Sequence, residues 1–286
     1  MIWFGEQRGE LSDWVTQRWV CSTGRRISLS EHPWLDGPAG NTRRIGSDFY
    51  QDYVVRENLK ICEEGVRGLI PDFGCLQRGN PSLGAVAPEV RTFYEQTSTF
   101  ELDVWSEWRG FFKPFGIALS RIFSVRLQQL NLPLSSLDTA KGMTSRVVQM
   151  TRPSSGVIVQ TAWIRELRAT RNVLYAGCYS VAIIPGHAGS CVKVVFPLPN
   201  GNAIVIMKAE ANQQGHLVLQ SFGRKFGDPG FYLTVHHGNG IASARYLRTF
   251  HEEIRVYPAE TDCVRADHLL RIWGRDFLRL HYRMRC

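Results

Sequence analysis

The residues best suited to chemistry cluster at the end of the chain. In RDFLRLHYRMRC, residues 275–286, Arg279, His281, Arg283 and Arg285 alternate with Leu278, Leu280, Tyr282 and Met284. A guanidinium carries forked donors that match a carboxylate or phosphate, and an imidazole titrates near neutral pH. The same mixing recurs upstream, in SARYLRTF with Arg245 and Arg248, and in EEIRVYPAE, where Glu253, Arg255 and Tyr257 oppose Ile254 and Val256. On an open or sandwiched sheet such a parity is the solvated face. If the strands close around a hollow, it turns inward and presents Arg248, Arg279 and His281 to the head group of an amphiphile.

Acids are the second resource. Glu95, in PEVRTFYEQTS, and Glu166, Glu210, Glu252 and Glu253 stand singly among apolar neighbours. Burial there can raise a carboxyl into the range useful for general acid/base work, so Glu95 and His281 are the candidate catalytic groups. The templates of recognised chemistry are missing: there is no GxSxG, GxxxxGK[ST], HExxH or strand-flanked GxGxxG. His236 and His237 are adjacent, so on a strand they point to opposite faces and do not share a metal. Seven cysteines lack any CxxC pair, which argues against a zinc site and a disulfide framework. Neither a metal nor another cofactor is expected.

The elements that must position these residues fall into two parts. After Gly142 apolar residues alternate with polar ones almost without interruption, giving eleven candidate strands. They are 145–151, 156–167, 173–184, 190–199, 202–211, 216–222, 231–237, 243–250, 252–260, 263–273 and the tail. Turn formers separate them (RPSSG, PGHAG, PNG, NQQG, GRKFGDPG, HGNG, ETD), PNG before NAIVIM being the sharpest hairpin signal. Residues 263–286 also fit a helical face through Leu269, Leu270, Trp273, Phe277, Leu280 and Met284, but Gly274 interrupts it and favours two strands.

Before Gly142 the pattern is helical and loop-rich. Leu11, Trp14, Val15 and Trp19 suit a short amphipathic helix, SDFYQDYVVRENLKICEEG runs from an N-cap at Ser47 to a stop at Gly65, and PEVRTFYEQTS begins a third helix. In ELDVWSEWRGFFKPFGIALSRIFSVRLQQLNLP, Val104, Trp105, Trp108, Phe111, Phe112, Phe115 and Leu119 recur every three or four residues, with a kink at Pro114. Trp105, Trp108, Phe111 and Phe112 would form an apolar lid over the β-region. Arg109, Lys113, Arg121 and Arg126 would suit the same helix to an anionic membrane surface.

The fold expected is α+β: a mainly helical part, 1–142, packed on an antiparallel β-meander of about ten strands, 143–286, closed as a barrel or folded as two sheets. Residues 1–143 hold 16 basic and 17 acidic side chains, and residues 144–286 hold 18 and 9, so the net charge of +8 lies wholly in the second half. That favours an anionic partner. Nucleic acid is disfavoured, because the arginines are scattered singly and no Gly-rich aromatic pair is present. No apolar run reaches ~18 residues and the N-terminus is too charged for a secretory signal, so a soluble, cytoplasmic protein is expected.

These readings converge on a cavity that binds a small hydrophobic or amphiphilic anion, fatty-acid-like, with Arg248, Arg279 and His281 at its head group. An enzyme acting on a small hydrophobic substrate in that cavity, and a peripheral or scaffold protein on anionic lipid, are the alternatives. Ligand identity and oligomeric state are left open.

Overall fold

The computed structural model describes residues 2–43, 45–109, 142–168, 171–260 and 263–286. Antiparallel strands dominate it. Five long ones run consecutively, β4 (Met143–Thr151), β5 (Ile158–Leu167), β6 (Val173–Ala182), β7 (Cys191–Leu198) and β8 (Gly201–Ala211), each paired with the next. Pro199 and Asn200 alone connect β7 to β8, with Leu198 opposite Gly201. Asn200 takes φ 61°, so a ring-fixed proline followed by a left-handed asparagine closes the hairpin that PNG signals.

Strand β8 then divides its partners. Residues Gly201–Ile206 pair with β10 (Gly230–Gly238), whereas Lys208–Ala211 pair with β9 (Leu217–Gln220). One branch continues from β10 to β11 (Ile241–Tyr246) and β1 (Arg25–Ser28). The other runs from β9 through β12 (Phe250–Pro258), β13 (Cys263–Ile272) and β14 (Arg275–Arg285) to β3 (Glu101–Trp108). A short strand, β2 (Lys60–Cys62), pairs with β4 at the opposite edge. The sheet is therefore one forked, open sheet.

The tail is a strand. Trp273 (φ 49°) and Gly274 (φ 73°) make a two-residue connection between β13 and β14, with Ile272 opposite Arg275. Two successive positive φ values are what a type I′ hairpin requires and what a helix forbids.

Strands β5–β8 are buried on both faces over most of their length, which is why stretches such as VLYAGC and AIVIM place apolar residues on both parities. One face joins a core with α4 (Pro88–Glu95), β3, β9 and β12–β14, including Phe93, Val104, Trp163, Val194, Leu219, Val256 and Met284. The other packs under the N-terminal segment, where Trp34, Leu35, Phe49 and Tyr53 meet Ile164, Cys178, Val195 and Ile206.

Two expectations for the N-terminal part change. Residues 101–108, read as the start of a long aromatic helix, form β3 along the outer edge of β14, with Tyr282 opposite Val104. ELDVWSEW carries both periods at once: the three- and four-residue spacing of its tryptophans and the alternation of Leu102, Val104, Ser106 and Trp108 against Glu101, Asp103, Trp105 and Glu107. An unpaired edge on β14 settles the choice, because a ladder satisfies backbone groups that a helix there would leave open. The helix expected across SDFYQDYVVRENLKICEEG is short, α2 (Gln51–Arg56), and ends where Asn58 turns left-handed at φ 49° before β2. Helices do gather before residue 142, α1 (Leu11–Thr23), α2, α3 (Gly74–Gln77) and α4 among them, but β1, β2 and β3 arise there too and join the common sheet.

Candidate functional site

Inside the curl of β5–β7 and β12–β14 lies a cavity of about 80 Å³ walled by Trp163, Tyr175, Tyr179, Phe196, Tyr282 and Met284 among others. Its most unusual occupant is Arg165. Alternation along AWIREL sends Ile164 to the second core and Trp163 and Arg165 to the first, so the guanidinium is carried inward, where only 3% of the residue is exposed.

Aromatic faces hold it there. The Arg165 guanidinium carbon lies 4.4 Å from the Trp163 ring centroid, 4.5 Å from Tyr175 and 5.4 Å from Tyr282. Each such contact returns about 0.5–2 kcal/mol, against several kcal/mol for removing a cation from water. Its Nε and Nη1 find no hydrogen-bond partner among the described residues. Two donors on a buried cation are therefore directed at nothing among the described residues.

The phenols around it stay protonated. Burial pushes Tyr179 up to about 12 and raises Tyr175 well above the usual phenol value, Arg165 opposing the shift in both. Tyr282 is raised by burial against the pull of Arg165, with which it shares a hydrogen bond. Across the cavity Glu252 and His268 form a diagonal cross-strand pair, Nε2 of His268 lying 2.9 Å from Oε2 of Glu252. Both side chains are nearly enclosed, at 14% and 7% exposure, and the His268 ring stacks on Tyr282 at 6.4 Å. A neutral aromatic box, one unpaired cation and one internally satisfied acid–imidazole pair thus share a single space.

The residues singled out from sequence lie elsewhere. Arg279 and His281 sit on the parity of β14 opposite to Leu278, Leu280, Tyr282 and Met284, hence on the outer face. There His281 Nδ1 is 2.7 Å from Asp267 Oδ1 and its Nε2 is 3.7 Å from Glu107, while Trp105 stacks on the imidazole at 5.6 Å. Burial alone would raise Asp267, but hydrogen bonds from His281 and Arg255 outweigh it and hold the carboxyl below its ordinary range. Arg248 is exposed in the turn after β11. Glu95 accepts a hydrogen bond from the backbone amide of Phe73 at 2.9 Å and does not line the cavity. Trp108 ends β3 near Phe277, at 6.5 Å, and Phe111 and Phe112 fall outside the described residues. Of the acids noted in the sequence, Glu252 alone reaches the cavity wall. Arg165 and His268 escaped notice; the one available signal was an arginine inside a strand apolar on both parities.

A second, more polar cleft of about 460 Å³ lies on the opposite face of the sheet, where Gln160, Ser180 and Lys193 meet Asp36, Tyr53 and Arg152. Ser180 and Lys193 are directly opposite in the β6–β7 ladder. Lys193 is buried, donates to the Asp36 carbonyl at 3.0 Å, and has its ammonium pushed down to about 8 by burial, the charge of Asp36 opposing the shift. The cleft is the larger space, but its buried cation, Lys193, is already bonded, and Asp36 and Glu57 bring negative charge to its rim. Unsatisfied positive charge belongs to the aromatic cavity.

Among the described residues no group of three or more His, Cys, Asp or Glu side chains could hold a metal ion. None of the described helices is long and apolar enough to cross a membrane, which says nothing about strands.

No family model matches the chain, and no solved structure matches it. It is 27% identical over 242 residues to a Bacillus subtilis (strain 168) protein called "Uncharacterized membrane protein YndJ", an alignment covering 84% of this chain and 41% of that relative. The chain thus spans less than half the length of the relative it matches.

Proposed function

We propose that the aromatic cavity binds a small amphiphilic anion, its carboxylate on Arg165 and its apolar body against Trp163, Tyr175, Tyr179 and Phe196. One observation carries this reading: a guanidinium only 3% exposed whose Nε and Nη1 have no partner among the described residues. A buried guanidinium with free N–H donors pairs with a carboxylate through charge-assisted hydrogen bonds, and an aromatic, water-poor wall strengthens that pairing. Phenols kept neutral by burial add O–H donors without adding repulsion.

Size narrows the ligand. About 80 Å³ exceeds the room one water needs and falls well below the ~300–1,000 Å³ of drug-sized sites, so a short-chain carboxylate fits and a long acyl chain would extend past the rim. A relative named as a membrane protein fits a chain that handles amphiphiles, since a bilayer is where such molecules gather.

Calorimetric titration of the protein with octanoate tests the proposal. Arg165→Gln should weaken octanoate binding about thirtyfold or more, the cost of truncating one partner of a buried charge pair. Equal affinity in wild type and variant would refute it.

A second reading rests on the Glu252–His268 pair. An imidazole oriented by a buried carboxylate in the same cavity is the arrangement of a general base, so the ligand would be a substrate. The two readings separate on one variant: His268→Gln abolishes turnover of a bound ester or acid in the enzyme and leaves octanoate affinity within about threefold in a binder.

A further inference from the structure

Helix α1 is built inside out. Its buried residues are Asp13 and Val20, and Gln17 spends its side chain on the Pro199 carbonyl and on Asn200. Its apolar stripe, Leu11, Val15 and Trp19, spaced four residues apart and therefore on one face, points to solvent, with Val15 52% exposed. A helix that merely covered a core would carry the reverse pattern.

The chain before the helix extends this surface. Ile2, Trp3 and Phe4 are exposed, Ile2 at 61%, and fold back on the start of α1 through the Leu11 amide, which donates to the Ile2 carbonyl at 3.0 Å. Phe4 meets the Trp14 ring edge-on at 6.2 Å. The patch is thus a rigid two-part surface held by backbone bonds.

Its border is cationic. Arg18 lies over Trp14 at 5.6 Å, and Arg245 lies over Trp19 at 5.3 Å while donating to the Thr23 carbonyl at 2.6 Å. Arg8 and Arg26 are exposed nearby, whereas Arg25 turns to the other face of β1 and lies over Phe226 at 4.8 Å. Two acids of the same segment are spent, Asp13 being buried and bonded to the Glu10 amide and Glu6 pairing with Arg43, while the Glu10 carboxylate caps the helix. Exposed Trp, Phe and aliphatic side chains rimmed by arginine match the boundary between acyl chains and anionic head groups.

We propose that α1 and the preceding residues 2–4 form an interfacial docking surface for an anionic lipid bilayer. Trp3, Phe4, Val15 and Trp19 enter the head-group boundary, and the arginines meet lipid phosphates. A second copy of this chain is the competing occupant, and the arginine rim argues against it, because two such rims would face each other across the two-fold axis of a dimer. This surface lies apart from the Arg165 cavity, so neither proposal depends on the other.

Flotation of the full chain with phosphatidylcholine vesicles, with and without one-quarter phosphatidylglycerol, tests it. Binding should require phosphatidylglycerol, fall steeply as salt is raised, and drop about tenfold or more in Trp3→Ser/Trp19→Ser and in Arg8→Glu/Arg18→Glu. Since all four side chains reach solvent, both variants should keep the wild-type melting temperature and octanoate affinity. Binding indifferent to phosphatidylglycerol, or unchanged in both variants, overturns the proposal. So does light scattering that shows a dimer in wild type and a monomer in Trp3→Ser/Trp19→Ser without any vesicle binding.

Discussion

Strands β12–β14 carry charge on both of their faces, and the two faces treat it differently. Outside, most cations have an acid at hand: Arg255 and His281 share Asp267, Arg283 and Arg285 share Asp103, Arg265 meets Glu260, and Arg271 meets Asp276. Inside, Glu252 and His268 satisfy each other and leave Arg165 of the facing β5 to aromatic faces and the Tyr282 phenol, with no acid paired to it. An exposed, paired arginine is cheap to keep and contributes little; a buried, unpaired one is costly and persists only where something else is gained. Density of charge in the sequence therefore points to the wrong face, and the single arginine in the cavity wall is the better guide.

This contrast can be broken experimentally, beginning with the interior. Tyr282→Ala removes a ring that packs on both Arg165 and His268 and should destabilise the fold by about 3–5 kcal/mol in urea unfolding. If the loss is below about 1 kcal/mol, the cavity wall is not packed as described.

Lys193 gives the next largest effect. Below pH 8 folded and unfolded chains both hold its proton, so the full cost of a buried ammonium is present. Between its folded value of about 8 and its ordinary 10.5 the unfolded chain binds more protons, so stability rises with pH, by about 3 kcal/mol in all. Above about pH 9 the buried thiols of Cys178 and Cys191, joined above about pH 10 by the buried phenols of Tyr53, Tyr94 and Tyr175, reverse the trend, because their raised values make the unfolded chain the one that loses protons first. Thermal unfolding across this range should show a maximum, and Lys193→Met should flatten its rising limb.

Arg165→Met should raise stability of the ligand-free protein by about 2 kcal/mol while removing octanoate binding, the opposite signs marking a residue kept for a ligand. A destabilised variant would assign Arg165 to packing instead. Smallest is the outer face: Asp267→Asn should cost about 1 kcal/mol or less near neutral pH. The difference from wild type should fade as acid protonates Asp267, whose stabilising effect is present above its unfolded value and lost as pH falls through its lowered folded one.

The β-region was legible because alternation and turn chemistry agree there. PNG, the Trp273–Gly274 turn and the apolar parities of β4–β14 locate every strand after Gly142, each within a few residues of its observed bounds. What alternation cannot supply is which parity faces the hollow. In β5 both parities are apolar, so Arg165 looks like an interruption and its inward direction is set by β6 and β12 folding over it. In β14 the clustered arginines and His281 were conspicuous, yet their direction depends on Tyr282 and Met284 packing inward. Strand β3 was misread for a related reason: its tryptophans satisfy a helical spacing, and only the waiting edge of β14, 180 residues downstream of Asp103 at Arg283, selects the strand.

The fork in β8 has a mechanical consequence. Because one strand is laddered to β10 along its first half and to β9 along its second, separating either branch requires breaking bonds on the same eleven-residue segment. Hydrogen exchange should find the amides of Ile204–Ala209 among the slowest in the protein and opening together, the hinge pin on which both leaves of the molecule hang.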